Sequence, residues 1–356
     1  MKNQRNLLFL LMMLSFLACN SLQQKGEGSG DKSMVKPLQP DSLLLGGVSD
    51  ALCYSGFRSG QHPDRGDGAV NPSYEEILED LQILAGQTPF RLIRMYDCGE
   101  NTQLTLRVIE ENKLDFKLLL GIWLRAELSA HETCEWLTEP IPQETLDQNK
   151  ILNAAEISAG IGLANQYSDI IVAVNVGNEA LVDWNDHKVS TDSIISYVKQ
   201  VQAAIVQPVT VADNYKWWAD HGQELAGVVD FVSIHTYPVW EGKDIGEGLS
   251  YTIENVEEVM KALPGAQLVI TEAGWATTAS EFGERASEPK QKQYVEEILA
   301  WAKQNNITTF LFEAFDEDWK GNPADPFGAE KHWGIYTVDR RPKQVIGLFS
   351  LSNQEK

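Results

Sequence analysis

The chain alternates between short, continuous apolar runs and longer stretches whose apolar positions recur every three or four residues. Runs rich in β-branched residues read as strands buried on both faces, and the longer stretches as helices with one apolar stripe. This pattern predicts strands at 43–48, 90–96, 116–123, 170–176, 209–212, 231–235, 268–271 and 309–312. Helices are expected at 72–85, 102–112, 149–166, 191–206, 253–263 and 288–305, the last opened by a serine with Pro289 in its first turn. Strand and helix alternating eight times, with right-handed crossovers, predicts a single (β/α)8 barrel, of TIM type, over residues 43–356. A doubly wound open sheet is the alternative, but LLLGGVSDALCYSGFR after the first run is not a GxGxxG phosphate turn.

The run IIVAVNVGNE, 170–179, ends on Asn178 and Glu179, and QLVITEAGW, 267–275, reaches Glu272 in the same way. An ionised carboxylate at the mouth of an apolar core costs several kcal/mol unless something there uses or compensates it. In a barrel all strand C-termini share one face, where chemistry is assembled. Reading those ends gives Tyr54 and Arg58, Tyr96 and Asp97, Trp123 and Arg125, Asn178 and Glu179. It continues with Asp213, Asn214 and Trp217, then His235, Tyr237 and Trp240, then Glu272 and Trp275. Glu313, Asp316, Glu317 and Trp319 close the series, with Trp333 in the following loop. Paired carboxylates among indoles point to glycoside hydrolysis, with the rings stacking on apolar sugar faces.

Composition sharpens this reading. The 356 residues are 43% apolar and 9% aromatic, enough for a large core, and the net charge is -22 from 51 acidic and 29 basic residues. That balance argues against nucleic acid and anionic membrane surfaces as partners and suits a neutral substrate. There is no CxxC and no Cys/His cluster, so neither metal nor cofactor is expected. Cys53, Cys98 and Cys134 leave one disulfide possible without choosing its partners.

The beginning of the chain is a targeting segment. Lys2 and Arg5 precede an apolar stretch at 7–17 that is too short to span a bilayer, and Ala18 and Cys19 follow. This resembles a bacterial lipoprotein signal, residues 1–18, cut before Cys19, although Phe16 stands where that signal usually has leucine. Residues 19–42, polar and aperiodic at first, are expected to be a flexible tether. The implied location is the cell envelope, with membrane contact only through a lipid on Cys19; a soluble secreted protein is the alternative.

VNVGNEA, SIHTYP, ITEAGWAT, FEAFDEDWK and EKHWGIYTVD, in that order, resemble the motifs of glycoside hydrolase family 17, a β-1,3-glucanase family of retaining (β/α)8 glycosidases. The resemblance runs from about Tyr54 to Asp339. It implies that Glu179 is the general acid/base and Glu272 the nucleophile, that the substrate is a neutral β-glucan, and that cleavage is endo-acting. Asn178 is expected on the substrate 2-hydroxyl, Tyr96 in RMYD near the reacting sugar, and Glu317, Lys320 and Glu330 as supporting groups. Tyr237 is the expected donor that keeps Glu272 ionised, while a less polar setting keeps Glu179 protonated. Trp275, Trp319 and Trp333 are expected to contact sugar. A glucanosyltransferase, a related polysaccharidase of the same clan and an inactive glycan-binding lipoprotein remain as alternatives. The stretch 126–148, with Trp136, is longer than expected of compact plant members and is placed to wall the cleft.

Overall fold

The computed structural model describes residues 37–47, 50–64 and 68–350; the signal segment and Cys19 lie outside them. Within the unit from Pro37 onward, eight parallel strands close into a barrel in sequence order. They are β1 (Asp50–Cys53), β2 (Leu92–Met95), β3 (Lys117–Ile122), β4 (Ile171–Asn178), β5 (Val209–Asn214), β6 (Val232–Thr236), β7 (Leu268–Ala273) and β8 (Thr309–Leu311). The crossovers carry α1 (Tyr74–Gln87), α2 (Glu100–Asn112), α3 (Gln143–Gln166) and α4 (Thr191–Gln202). They continue with the short α5 (Tyr215–His221) and α6 (Gln223–Ala226), then α7 (Ile245–Ala262) and α8 (Glu288–Gln304), and α9 (Gly347–Ser350) follows β8. The (β/α)8 prediction therefore holds, and the open sheet is excluded by the β1 to β8 pairing.

Local chemistry sets the helix starts. Ser73 caps α1 in a reciprocal capping box with Glu76, and Ser287 caps α8 with Pro289 in its first turn.

Two boundaries differ from expectation. The first strand is not 43–48: Leu44–Gly46 form a 3-10 turn, and Gly46 and Gly47 take φ of 83° and 105°, which ends any extended run there. Leu45 instead joins the barrel-interior cluster with Ala51, Cys53, Leu92, Leu119, Phe231 and Phe310. The expected tether also ends early. Gln39 is buried and bridges the entrance of β7, accepting from Leu268 N–H at 2.8 Å and donating to Leu268 O and Asn306 O at 3.1 and 2.9 Å.

Strand alternation sorts side chains between the barrel interior and the layer beneath the helices. On β2, Ile93 and Met95 face the helices, while Leu92 faces inward with Arg94 and Tyr96 two and four positions on. Cys53, Cys98 and Cys134 are all buried free thiols.

The tail after β8 is locked by charge. Arg340 donates to both oxygens of the fully buried Asp80 at 2.8 and 2.7 Å, and to Gly56 O at 2.7 Å; Arg58 reaches Asp80 at 2.9 Å. Removing one partner leaves buried charge uncompensated. Arg340→Met is expected to cost about 3 kcal/mol, since Arg58 still reaches Asp80, and urea unfolding monitored by tryptophan fluorescence measures it.

Candidate active site

Glu179 and Glu272 meet at the C-terminal end of the barrel, although simple alternation would separate them. On β7, Leu268 and Ile270 face the helices and Val269 faces the interior. Strict period-two continuation would put Glu272 among the helices with Ile270. The register against β6 shifts here: Ile234 pairs with Ile270, yet His235 pairs with Glu272. One extra residue on β7 forms a bulge that turns Glu272 inward. A second bulge lies on β4, where Asn175 and Asn178 pair with Thr210 and Ala212, and Gly177 adopts φ 82°. Glu179 follows at φ 46°, a left-handed conformation uncommon for a side-chain-bearing residue. It is pinned by its N–H to Ala212 O at 2.9 Å and by Asn185 Nδ2 donating to its carbonyl at 2.8 Å. A strained backbone held from both sides fixes where the carboxylate points.

The two carboxylates share one histidine. His235 Nδ1 lies 2.9 Å from Glu179 Oε1 and 3.4 Å from Glu272 Oε2, and one oxygen of each glutamate falls within 4.8 Å of the other. His235 Nε2 faces Arg94 Nη1 at 3.2 Å. A guanidinium cannot accept, so the hydrogen-bond network assigns Nε2 as acceptor and the ring proton to Nδ1, aimed at Glu179. Glu179 keeps 24% of its side chain exposed and Glu272 only 7%, so the first is reachable and the second is sunk beneath it.

Glu272 is held on both oxygens. Oε1 accepts from Arg94 Nη1 at 2.6 Å and Tyr96 at 2.9 Å, and Oε2 accepts from Tyr237 at 2.5 Å. Burial works to raise this carboxyl, but the His235 ring, Arg94 and the Tyr237 and Tyr96 hydroxyls outweigh it and hold it below the ordinary glutamate value. The tyrosines are themselves pushed well up, by burial first and then by Glu272 and neighbouring thiol or phenol groups, so they stay protonated donors. Asn178 Oδ1 accepts from Arg94 Nη2 at 2.5 Å, which leaves its NH2 end to offer a ligand hydroxyl.

Behind this group lies a second cluster of charge. Lys320 bridges Glu313 and Glu317 at 2.7 Å each. Burial, and then Glu317, push the Glu313 carboxyl well above its ordinary value despite Lys320. Glu330 is half-buried nearby and is raised by burial and by the fields of Glu179 and Glu272, with Lys320 opposing.

The indoles divide. Trp319 is partly exposed beside Lys320, edge-on to Phe57 at 5.9 Å. Trp275 is not a contact residue: it is fully buried against Tyr294, its N–H donating to Arg285 O at 2.8 Å. Trp333, 1% exposed, lies beneath Tyr237 at 5.1 Å and supports that ring instead of facing a ligand. Tyr54 faces Asp80 under the helices. Position after a strand fixes which end a residue occupies, not which side it faces, and that is why these were misread.

Arg94 is absent from the sequence reading of the site, and His235 stands in it only as a strand-end residue without a role. A charged residue inside the apolar run RLIRMY was the available signal for the first. Among the described residues, Glu179, His235 and Glu272 are the trio whose donor atoms converge closely enough for a metal, but the Arg94 guanidinium already contacts two of the three.

A closed (β/α)8 barrel carrying one carboxylate at the end of β4 and its partner on β7 defines a two-carboxylate barrel of the glycosidase type. The domain described as the BtgE/BtgC glycoside hydrolase domain matches residues 51–334, and the chain belongs to that family. It is 26% identical over 329 residues to a glucan 1,3-beta-glucosidase of Arthroderma benhamiae, covering 85% of this chain and 94% of that one. A glucan 1,3-beta-glucosidase of Schizosaccharomyces pombe is 25% identical over 293 residues, 78% of this chain and 82% of the relative. Among solved structures, an endo-laminarinase from Formosa Hel1_33_131 superposes with a TM-score of 0.71 at 26% identity, covering 86% and 87% of the two chains. The resemblance to glycoside hydrolase family 17 read from the five motifs therefore holds.

Tyr237→Phe removes a donor that favours ionised Glu272, so the carboxyl value rises. Any activity that needs that carboxylate ionised should lose its acid limb at a higher pH than in the parent protein, read from kcat/KM against pH.

Proposed function

We propose that this chain is a retaining endo-acting glycoside hydrolase that cleaves β-1,3-glucan by double displacement. The observation that carries the reading is the spacing of Glu179 and Glu272, with carboxylate oxygens within 4.8 Å of one another. Retaining enzymes hold their carboxyl groups about 5 to 5.5 Å apart, whereas inverting ones leave about 6.5 to 9.5 Å for a water. Glu272, ionised and gripped by Arg94, Tyr96 and Tyr237, attacks the anomeric carbon as the bond to the leaving oxygen breaks. Glu179 gives that oxygen its proton. In the second step Glu179 takes a proton from water as the water oxygen displaces Glu272, and the glutamates return to their starting states. The choice of β-1,3-glucan rests on the relatives named as glucan 1,3-beta-glucosidases and on the endo-laminarinase fold neighbour. Both glutamates stand in hydrogen-bonded positions, which is not what loss of catalysis leaves behind.

Initial products from laminarin, followed by NMR, should keep the β configuration; an α product would exclude the double displacement. Glu179→Gln should lower kcat by about 10²- to 10⁴-fold with thermal unfolding unchanged, and Glu272→Gln should leave almost none while also lowering the melting temperature, because Arg94 loses its buried counter-charge. Glycosyl transfer to a second oligosaccharide at high substrate concentration would identify a glucanosyltransferase acting through the same residues.

From Lys2, Arg5 and Cys19 we also infer a lipid-anchored place on the bacterial cell envelope. Metabolic fatty-acid labelling that Cys19→Ala abolishes would support it, and labelling that persists would refute it.

A further inference from the structure

The long connection between β3 and α3 is welded to the loop that begins at Glu179. Glu127 and Leu128 N–H both donate to Lys188 O, at 2.9 and 3.0 Å, and Thr133 Oγ1 donates to Asp183 O at 2.5 Å. The base is fixed from below, where Glu127 Oε1 accepts from Tyr197 at 2.5 Å and from Asn153 Nδ2 at 2.9 Å. This is a rigid wall whose interior is closed by the buried Ala126, Ala130 and Cys134.

Two large rings on that wall stay in solvent. Trp136 is 61% exposed and Trp184 is 44% exposed, and neither contributes to the core. Trp136 lies beside Asp186, whose carboxyl is held below the ordinary aspartate value first by His187 and further by this indole. Asp186 in turn meets His187 Nδ1 at 3.1 Å, and His187 Nε2 meets the carbonyl of Asn178 at 2.8 Å. A short relay of side chains thus connects an exposed ring face to the residue beside Glu179. The flanking Glu132, Glu135, Glu139 and Asp183 are exposed carboxylates. They repel phosphate and anionic lipid while accepting hydrogen bonds from hydroxyls. Flat apolar faces set among acceptors fit a neutral sugar chain, whose rings present C–H faces and equatorial hydroxyls.

The geometry points to a glucan-binding platform formed by Trp136 and Trp184 that holds the leaving-group side of the substrate. Its side follows from the barrel order: β3 and β4 lie across the barrel from β7 and β8, so this wall stands beyond Glu179, away from Glu272. The group that protonates the leaving oxygen faces the part of the chain that departs. This inference rests on the proposed hydrolase reading, and it deepens that reading by giving the site an extended grip on sugar units past the scissile bond.

The test compares two substrates in the full-length protein. Laminarihexaose has sugar on both sides of the cleaved bond; an aryl β-laminaribioside offers only a small aromatic leaving group. Trp136→Ala and Trp184→Ala should each lower kcat/KM on the hexaose by about 3- to 10-fold, the order expected for one aromatic contact. Both should leave the aryl substrate within about twofold of the parent, and Trp136→Phe should recover most of the loss. Because both rings are exposed, melting temperatures should not move. Unchanged hexaose cleavage by the alanine variants, or an equal loss on both substrates, would overturn the platform while leaving the hydrolase intact. A parent protein that cleaves neither substrate would instead refute the hydrolase reading itself.

Discussion

A guanidinium with no solvent exposure sits at the centre of this barrel, and the geometry around it follows from the need to satisfy it. Arg94 enters from β2 and reaches Glu272 from β7, Asn178 from β4 and His235 from β6. Taking such a charge out of water costs several kcal/mol, recovered only when a counter-charge and acceptors are held at hydrogen-bond distance. Four strands are therefore tied to one another by a group that tolerates little slack. The same contact lets a nearly buried Glu272 remain ionised, so the constraint that organises the barrel top also sets the chemistry of the carboxylate within it.

The site is graded by exposure. Glu272 and its donors are sunk and fixed, Glu179 stands partly open above them, and His235 sets Nδ1 between the two while Nε2 faces Arg94. Outward from there, the Glu313–Lys320–Glu317 cluster backs one side. The joined β3 and β4 loops stand on the other. Exposure thus rises outward from Arg94, which suits a site that must be preorganised at the reacting centre and accessible at its rim.

The barrel was legible in the sequence because period-two and period-3.6 apolar patterns report burial directly, and seven of the eight strands lie where those runs fall. The first strand was not: three leucines before two glycines look extended, but the glycine backbones turn, and Leu45 becomes a plug in the barrel interior. Glu179, Glu272, Tyr96, Asn178 and Tyr237 were readable from strand-end polarity and motif resemblance. Trp275 and Trp333 were not, because chain position places a ring at the catalytic pole without saying whether it points into solvent or back toward the helices. Arg94 shows the converse: a buried charged residue inside an apolar run is easily passed over as packing.

The bulge in β7 makes the site depend on a parity. Counting from Val269, which faces the interior, an odd step should carry Glu272 to the helix side, and only the one supernumerary residue opposite β6 reverses that. Loss of a single residue at this point would restore an ideal ladder, and by the ordinary measures of sheet regularity the strand would be improved. The carboxylate would then stand in the inward slot beside His235 without a bulge, but Thr271, whose carbonyl accepts from Arg94 at 3.1 Å, would be gone. The irregularity thus lets one strand offer the buried guanidinium both a carboxylate and a main-chain acceptor, which a regular ladder of the same length would not.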